Sequence, residues 1–313
     1  SGLFFIFWEQ SFERMSGTGM GKNSSDYLFF FHTFLWVFLP WTILGITAFG
    51  SRLKTLFKLK FKYSSKYEFL TLGGITLIFI VISFAQFKLP HYLNITMPLF
   101  AVLTASYLHS LKELDKRKTV KILLGVQYVV LCIVFIAVLL ICFHVFKFES
   151  SYAFVLLGLF FAFAIYYCLK RENYSLRIIT ISVCASLGLN FVLNTHFYPS
   201  LLAYQAGSSM AETIAENKIP VDRIYKISTH YTWALDFYNK KPVKITSIDQ
   251  LSNKKDIWVY VDDLQLKELQ NMGYDWDRQF TEDQFRITRL QAKFLDPTTR
   301  KKVLNKRHLI HIY

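Results

Sequence analysis

Cysteine is scarce in this 313-residue chain. The four present, Cys132, Cys142, Cys168 and Cys184, lie in apolar runs, and none follows Asn194. That distribution argues against a disulfide framework and against zinc sites of the paired-cysteine type. Acidic residues are thin in the first part of the chain: residues 1–193 hold 8 Asp and Glu against 18 Lys and Arg, while residues 194–313 hold 14 against 18. No row of carboxylates runs through the apolar segments, as a proton-coupled transporter requires, and Glu68 sits at a segment end. There is no Gly-rich phosphate loop, no nucleophile elbow and no metalloprotease helix, so no catalytic acid–base pair can be named inside the chain. A soluble basic face interleaved with aromatics is missing as well, which argues against nucleic acid as a partner. Neither internal repeats nor low-complexity linkers occur. No charged n-region or cleavage site follows Ser1, which reads as a cut end with no signal peptide, so part of the function is expected upstream.

What is abundant is apolar. Hydrophobic residues make up 53% of the chain and aromatics 18%, too much for a soluble domain of this length. Six segments are apolar enough to be expected as spans: Tyr27–Gly50, Glu68–Phe87, Leu93–Leu111, Ile122–His144, Tyr152–Leu169 and Ile178–Leu193. The connecting loops alternate in charge. Ser51–Tyr67, Lys112–Lys121 and Lys170–Arg177 together carry fourteen cations, against Arg14, Lys22, Lys88 and Lys147 on the other side. By the positive-inside rule the cationic loops face the cytoplasm, and the N-terminal segment, the Lys88 turn and everything after Asn194 lie outside it.

Three regions are therefore expected: an outer-face juxtamembrane segment over 1–26, a helical membrane domain over 27–193, and a small extracytoplasmic α/β domain over 194–313. In the last, Leu201–Asn217 reads as an amphipathic helix. Arg223–Ser228, Val243–Thr246, Asp256–Val261, Phe285–Leu290 and His308–Ile312 read as strands. Helices are expected at Tyr231–Tyr238 and Asp262–Met272, and a short one near Thr298–Asn305.

The most informative stretch is QFKLPHYL, Gln86–Leu93, between two apolar runs. Pro90 lacks a backbone N–H and disfavours helix at Leu89, so the preceding helix should stop near Phe87. Lys88, His91 and Tyr92 then reach the outer headgroup level. They read either as interfacial anchors or as an anion site, with Lys88 supplying charge and Tyr92 a hydroxyl donor. Arg14, in FWEQSFERMSGTG, likewise reads as a snorkelling arginine or as a fork for phosphate. Asp275-Trp276-Asp277 matches a metal-holding D-x-D pattern that arises easily by chance, and Asp262-Asp263 is expected to open a helix. His196, His230, His308 and His311 have no metal-ligand spacing and read as scattered surface residues, so no metal site is expected.

The order of these landmarks resembles a known family. FWEQSFERM with Arg14, then SDYLFFFHTFLWVFLPW (Ser25–Trp41), then ISFAQFKLPHYLNITMPLFAVLTASYL (Ile82–Leu108) resemble the second half of lipid-linked-sugar glycosyltransferases. These are the glycosyltransferase family 39 and aminoarabinose lipid A transferase group, relatives of protein O-mannosyltransferases. The most specific element is Lys88-Leu89-Pro90-His91-Tyr92 with Pro98, followed by Leu39-Pro40-Trp41. The resemblance implies a polytopic α-helical membrane enzyme of GT-C type in a bacterial inner membrane, with its C-terminal domain in the periplasm. Its donor would be a polyprenyl-phosphate-linked sugar and its acceptor lipid A, a glycan or a protein. Arg14 and Tyr92 match donor-phosphate contacts, Lys88 lies in the Tyr92 turn and matches less closely, and His91 stands where many members carry a small hydroxyl residue. The general base is expected in a preceding outer loop outside this chain. No cofactor is firmly implied, and a divalent-metal requirement stays open. Two other classes compete: a polytopic transporter or flippase of lipid-linked glycans, and a non-enzymatic membrane anchor for a periplasmic domain.

Overall fold

The computed structural model describes residues 2–12, 26–60, 62, 69–85, 88–148, 151–170, 173–227 and 232–313. The chain divides into two compact units, residues 1–136 with 152–189, and residues 137–151 with 190–313.

The first unit is helical. Phe29–Val37 and Thr42–Lys58 are separate helices where the sequence suggested one span. Pro40 interrupts the ladder, Trp41 N–H bonds the Phe38 carbonyl at 2.8 Å, and the Thr42 hydroxyl donates to the Leu35 carbonyl at 3.1 Å. The Gln127 amide donates to the Pro40 carbonyl at 3.0 Å, so the broken turn is tied to a third helix. Phe69–Phe84 follows, then a 3₁₀ turn Pro90–Ile95, and then helices Met97–Glu113 and Arg117–Leu140. Ser151–Leu169 and Tyr174–Val192 complete the set. The core gathers aromatics on facing helices: the Phe34 and Phe100 rings lie 4.3 Å apart, and Phe30, Leu44, Leu93 and Leu103 are fully buried.

Among the described residues two helices, Arg117–Val145 and Tyr174–Leu202, are long and apolar enough to cross a membrane, not six. Each has 29 residues, about 43 Å of helix. Apolar run length overcounted because the first three expected spans include residues that the helices leave out. Phe29–Val37 has 9 residues, Thr42–Lys58 and Met97–Glu113 have 17 each, and Phe69–Phe84 has 16, all short of the roughly 20 that a span needs.

The second unit carries a five-stranded sheet in the order β2-β1-β3-β5-β4. The strands are β1 Ile224–Lys226, β2 Lys244–Ile245, β3 Ile257–Asp262, β4 Arg278–Gln284 and β5 Asn305–Ile312. β1 pairs in parallel with β2 and β3, and β5 runs antiparallel to β3 and β4. In β3 the alternation of side chains feeds two cores. Trp258 and Tyr260 pack with Met210, Ile214 and Leu235 from the helices Ala206–Glu216 and Trp233–Tyr238. Ile257, Val259 and Val261 pack with Leu251 and Leu269 from Ile248–Leu251 and Asp263–Asn271. A strand covered on both faces reads as an unbroken apolar run, which is why DIWVYV was legible.

Three expectations change here. The helix expected over Leu201–Asn217 is broken: a first helix ends at Leu202, and a second starts at Ala206, whose N–H bonds the Gln284 side chain at 3.1 Å. The strand expected at Phe285–Leu290 lies earlier, at Arg278–Gln284; Phe285 instead stacks on Phe294 with centroids 3.9 Å apart. Within 285–290 Phe285 is buried and Leu290 is exposed, so the apolar signal there marked one packed ring and not a strand. His308 and His311 are no scattered surface pair either, since both are held by carboxylates. His308 is 4% exposed, with Nε2 3.1 Å from Asp263 and Nδ1 2.9 Å from the Thr281 hydroxyl. His311 bridges Asp277 and Asp256.

The second unit also takes in the ends of both long helices. Phe146, Phe197, Leu201, Phe285 and Phe294 form one buried cluster, and Arg300 lies against it. Its guanidinium sits 4.6 Å from the Phe146 ring centroid and 5.4 Å from that of Phe294, and it donates to the carbonyls of Val145 (2.5 Å) and Phe294 (2.9 Å).

Candidate functional site

Leu89 is extended (φ −126°, ψ 139°), as a residue before proline must be, and Pro90 opens the 3₁₀ turn at its first position. Two residues pin that turn to the bundle. Leu93 is wholly buried, and the buried Thr96 donates its hydroxyl to the Leu93 carbonyl at 2.7 Å before the Met97–Glu113 helix begins. The helix Phe69–Phe84 stops three residues sooner than Pro90 alone required.

This geometry turns Lys88 inward. The residue is 4% exposed, and its ammonium lies 5.3 Å from the centroid of the Tyr27 ring. A snorkelling lysine keeps its charged head in water, so the anchor alternative fits this burial poorly. Among the described residues no carboxylate comes within ion-pair distance of Lys88. A ring face offers roughly 0.5–2 kcal/mol to a cation, and a phosphate oxygen within hydrogen-bond distance would offer more. The position is suited to an incoming anion. Tyr92 is half-buried beside the core, with its ring edge-on to that of the exposed His91 at 4.9 Å. Lys88, His91 and Tyr92 thus share one turn, whereas Arg14 lies outside the described residues.

Tyr27 was not singled out from the sequence, and it is the side chain that receives Lys88. Its ring also meets Phe84 at 6.1 Å. Four residues on, Phe31 meets Phe79 at 5.6 Å and lines an apolar cavity of about 490 Å³ among Phe34, Leu53, Ile75, Phe79 and Phe100. His32 also lines it and stands 3.8 Å from Asp26. A cation with an aromatic-walled apolar cavity beginning about one helical turn deeper has the two chemistries of a lipid phosphate: a charged head and a hydrocarbon tail. A run of phenylalanines on two helices was the only hint of that cavity in the sequence.

Among the described residues no group of three or more His, Cys, Asp or Glu side chains is placed to hold a metal ion. Asp277 of the D-x-D stretch is engaged by His311, which holds its carboxyl below the ordinary range. Asp262 accepts from the Leu264 and Gln265 amides, while Gln265 accepts from the Asp262 amide: a capping box at the helix start expected there.

No protein-family model and no curated protein matches the chain. Two solved structures resemble its fold. One is the crystal structure of ArnT from Cupriavidus metallidurans bound to undecaprenyl phosphate, with a TM-score of 0.60 over 98% of this chain at 15% identity. The other is the same protein in the apo state, with a TM-score of 0.60 over 98% at 16% identity. The chain spans about half of that protein, 55% and 54% of the two structures. At this identity the likeness is one of fold: a helical membrane architecture of the ArnT type, with a small sheet.

Proposed function

We propose that this chain is the C-terminal part of an inner-membrane glycosyltransferase that takes a sugar from a polyprenyl-phosphate donor and passes it to an extracytoplasmic acceptor. The fold likeness to a protein solved with undecaprenyl phosphate carries this reading. Buried Lys88 against Tyr27, with the apolar cavity beyond Phe31, gives it a chemistry. Sugar transfer from such a donor expels a lipid phosphate, and a cation already held out of water stabilises the charge that develops on it. Tyr92 would add a hydroxyl donor and Arg14 a second cation, with His91 at the rim. Lipid A, a glycan or a protein stays open as the acceptor. We take residues 194–313 as a periplasmic domain near that acceptor, 27–193 as the membrane part and 1–26 as its outer-face lead-in. Attack on the anomeric carbon also needs a general base, which we assign to the part of such an enzyme that this chain does not span; no divalent metal is assigned.

Charge placement favours transfer over transport. In the helices Met97–Glu113 and Arg117–Leu140 charged side chains gather at the ends, as with Lys112 and Glu113, or Arg117, Lys118 and Lys121, and Phe69–Phe84 has none. The deciding experiment uses the full-length protein in native membranes with a radiolabelled polyprenyl-phosphate sugar. Label should move to an outer acceptor and transfer should fall in Lys88→Met. Label that crosses the bilayer still attached to its lipid would instead mark a flippase.

A further inference from the structure

At the end of the first unit away from Lys88, two cavities join. One is an apolar slot of about 550 Å³ lined by Phe38, Trp41, Ala101, Ala105, Leu176 and Ile179. The other is a polar mouth of about 580 Å³ bordered by Lys112, Lys116, Arg117 and Asn173. Lys112, Asn173 and Ser175 line both. Small side chains on one helix open the slot, since Ala101 and Ala105 leave room where Leu108 and Leu111 next along that helix are buried. The mouth holds three cations and one carboxylate, Asp115, which Arg117 engages at 2.9 Å. Lys121 and Arg177 lie 5.3 and 5.7 Å from the ring of Tyr174 at the same mouth. The Met97–Glu113 helix is 17 residues long, so Lys112 sits about 25 Å along the bundle from the Lys88 turn.

We propose that this groove binds an anionic phospholipid, its headgroup phosphate in the Lys112–Lys116–Arg117 mouth and one acyl chain in the Trp41–Ala105 slot. Two features carry the choice of occupant. The excess of cations calls for an anion, and the continuous apolar slot behind them has no use for a free inorganic one. Basic pockets between membrane helices on the cytoplasmic side recognise lipid headgroups in this way. The site is independent of the donor reading: it lies at the opposite end of the bundle, and the loop charges assign that end to the inner leaflet.

Trp41 lines the slot and serves as the probe. The full-length protein is placed in phosphatidylcholine nanodiscs carrying a minor fraction of chain-brominated phosphatidylglycerol or chain-brominated phosphatidylcholine. The Trp41 signal is the difference between wild type and Trp41→Phe. Each cation near an anionic lipid is worth roughly fivefold in affinity. Half-quenching is therefore expected at an at least about fivefold lower fraction of phosphatidylglycerol than of phosphatidylcholine. Lys112→Gln with Lys116→Gln should erase that preference while leaving Trp41 emission in plain phosphatidylcholine unchanged. Ala105→Phe, at an exposed position facing the slot, should remove the quenching by both lipids. Equal quenching by the two lipids overturns the proposal. So does a preference that survives Ala105→Phe, which is general attraction to basic loops, and so does relief of the quenching by added inorganic phosphate, which is a free-anion site.

Discussion

A lysine that is 4% exposed beside a single tyrosine ring is the residue on which the donor reading turns. Exchange of Lys88 for methionine keeps an unbranched chain of similar volume and removes only the charge. In the full-length enzyme Lys88→Met should lower kcat/KM for the lipid-linked donor by roughly 10- to 100-fold, the worth of one hydrogen bond to a charged group, with membrane insertion intact. Steady-state transfer assays at several donor concentrations check this. Tyr92→Phe should cost less, about threefold to tenfold, since a neutral hydroxyl contributes about 1 kcal/mol net. His91→Ser should leave donor use within about twofold, because the His91 side chain is exposed and its ring lies edge-on to that of Tyr92. Lys88 and Tyr92 could be picked out from sequence because Pro90, following a long apolar run, marks where that helix must stop. Tyr27 could not, because its role depends on where the Phe69–Phe84 helix stops.

The capping box and the Arg300 cluster belong to the element scale. Asp262 closes β3 and opens the Asp263–Asn271 helix with its carboxylate, and it pairs with Arg307 at 3.1 Å. Asp262→Ala should destabilise the protein by about 1–2 kcal/mol, seen as a lower midpoint in thermal unfolding of the detergent-solubilised chain. Phe294 is wholly buried between Phe285, Tyr204 and Arg300, so Phe294→Ala should cost about 3–5 kcal/mol in the same measurement. The cap was legible because D-D before a helical pattern after a strand has one mechanical use. The cluster was not. Its members come from residues 146, 197, 204, 285, 294 and 300, and only the fold brings such distant positions together. For the same reason β4 escaped sequence reading: RQFTEDQ has no strand composition and is held as an edge by pairing with β5.

At the scale of the whole molecule, acid response follows from the β5 histidines and their carboxylates. Burial pushes the Asp263 carboxyl upward, but hydrogen bonds from His308 and the Lys306 amide outweigh it and hold it below the ordinary carboxylate range. His311 lowers Asp277 in the same sense. A carboxyl whose pKa is lower in the fold than in the unfolded chain adds stability above its unfolded value, near 3.9 by general experience, and loses it as pH falls through the folded value. The stability that these two carboxylates add should therefore be intact from neutrality down to about pH 4 and fade below it, with Asp277→Asn making that loss shallower. Trp258 reports on it, since its ring lies 4.8 Å from that of His311. A fluorescence-detected melting series against pH would show a shoulder that the variant lacks.

What the sequence determined by itself was everything local or cumulative: the apolar class of the chain, the charge bias of its loops, the Pro90 turn, the capped helix after β3 and the strand DIWVYV itself. Each of these is set by residues within a few positions of one another, or by sums along the chain. Only the tertiary structure decided how many apolar runs become long helices, that Lys88 turns inward onto Tyr27, and that Ala105 and Lys112 share a groove with Ile179. Those outcomes depend on distant segments competing for the same interior space, and no window of sequence contains that competition.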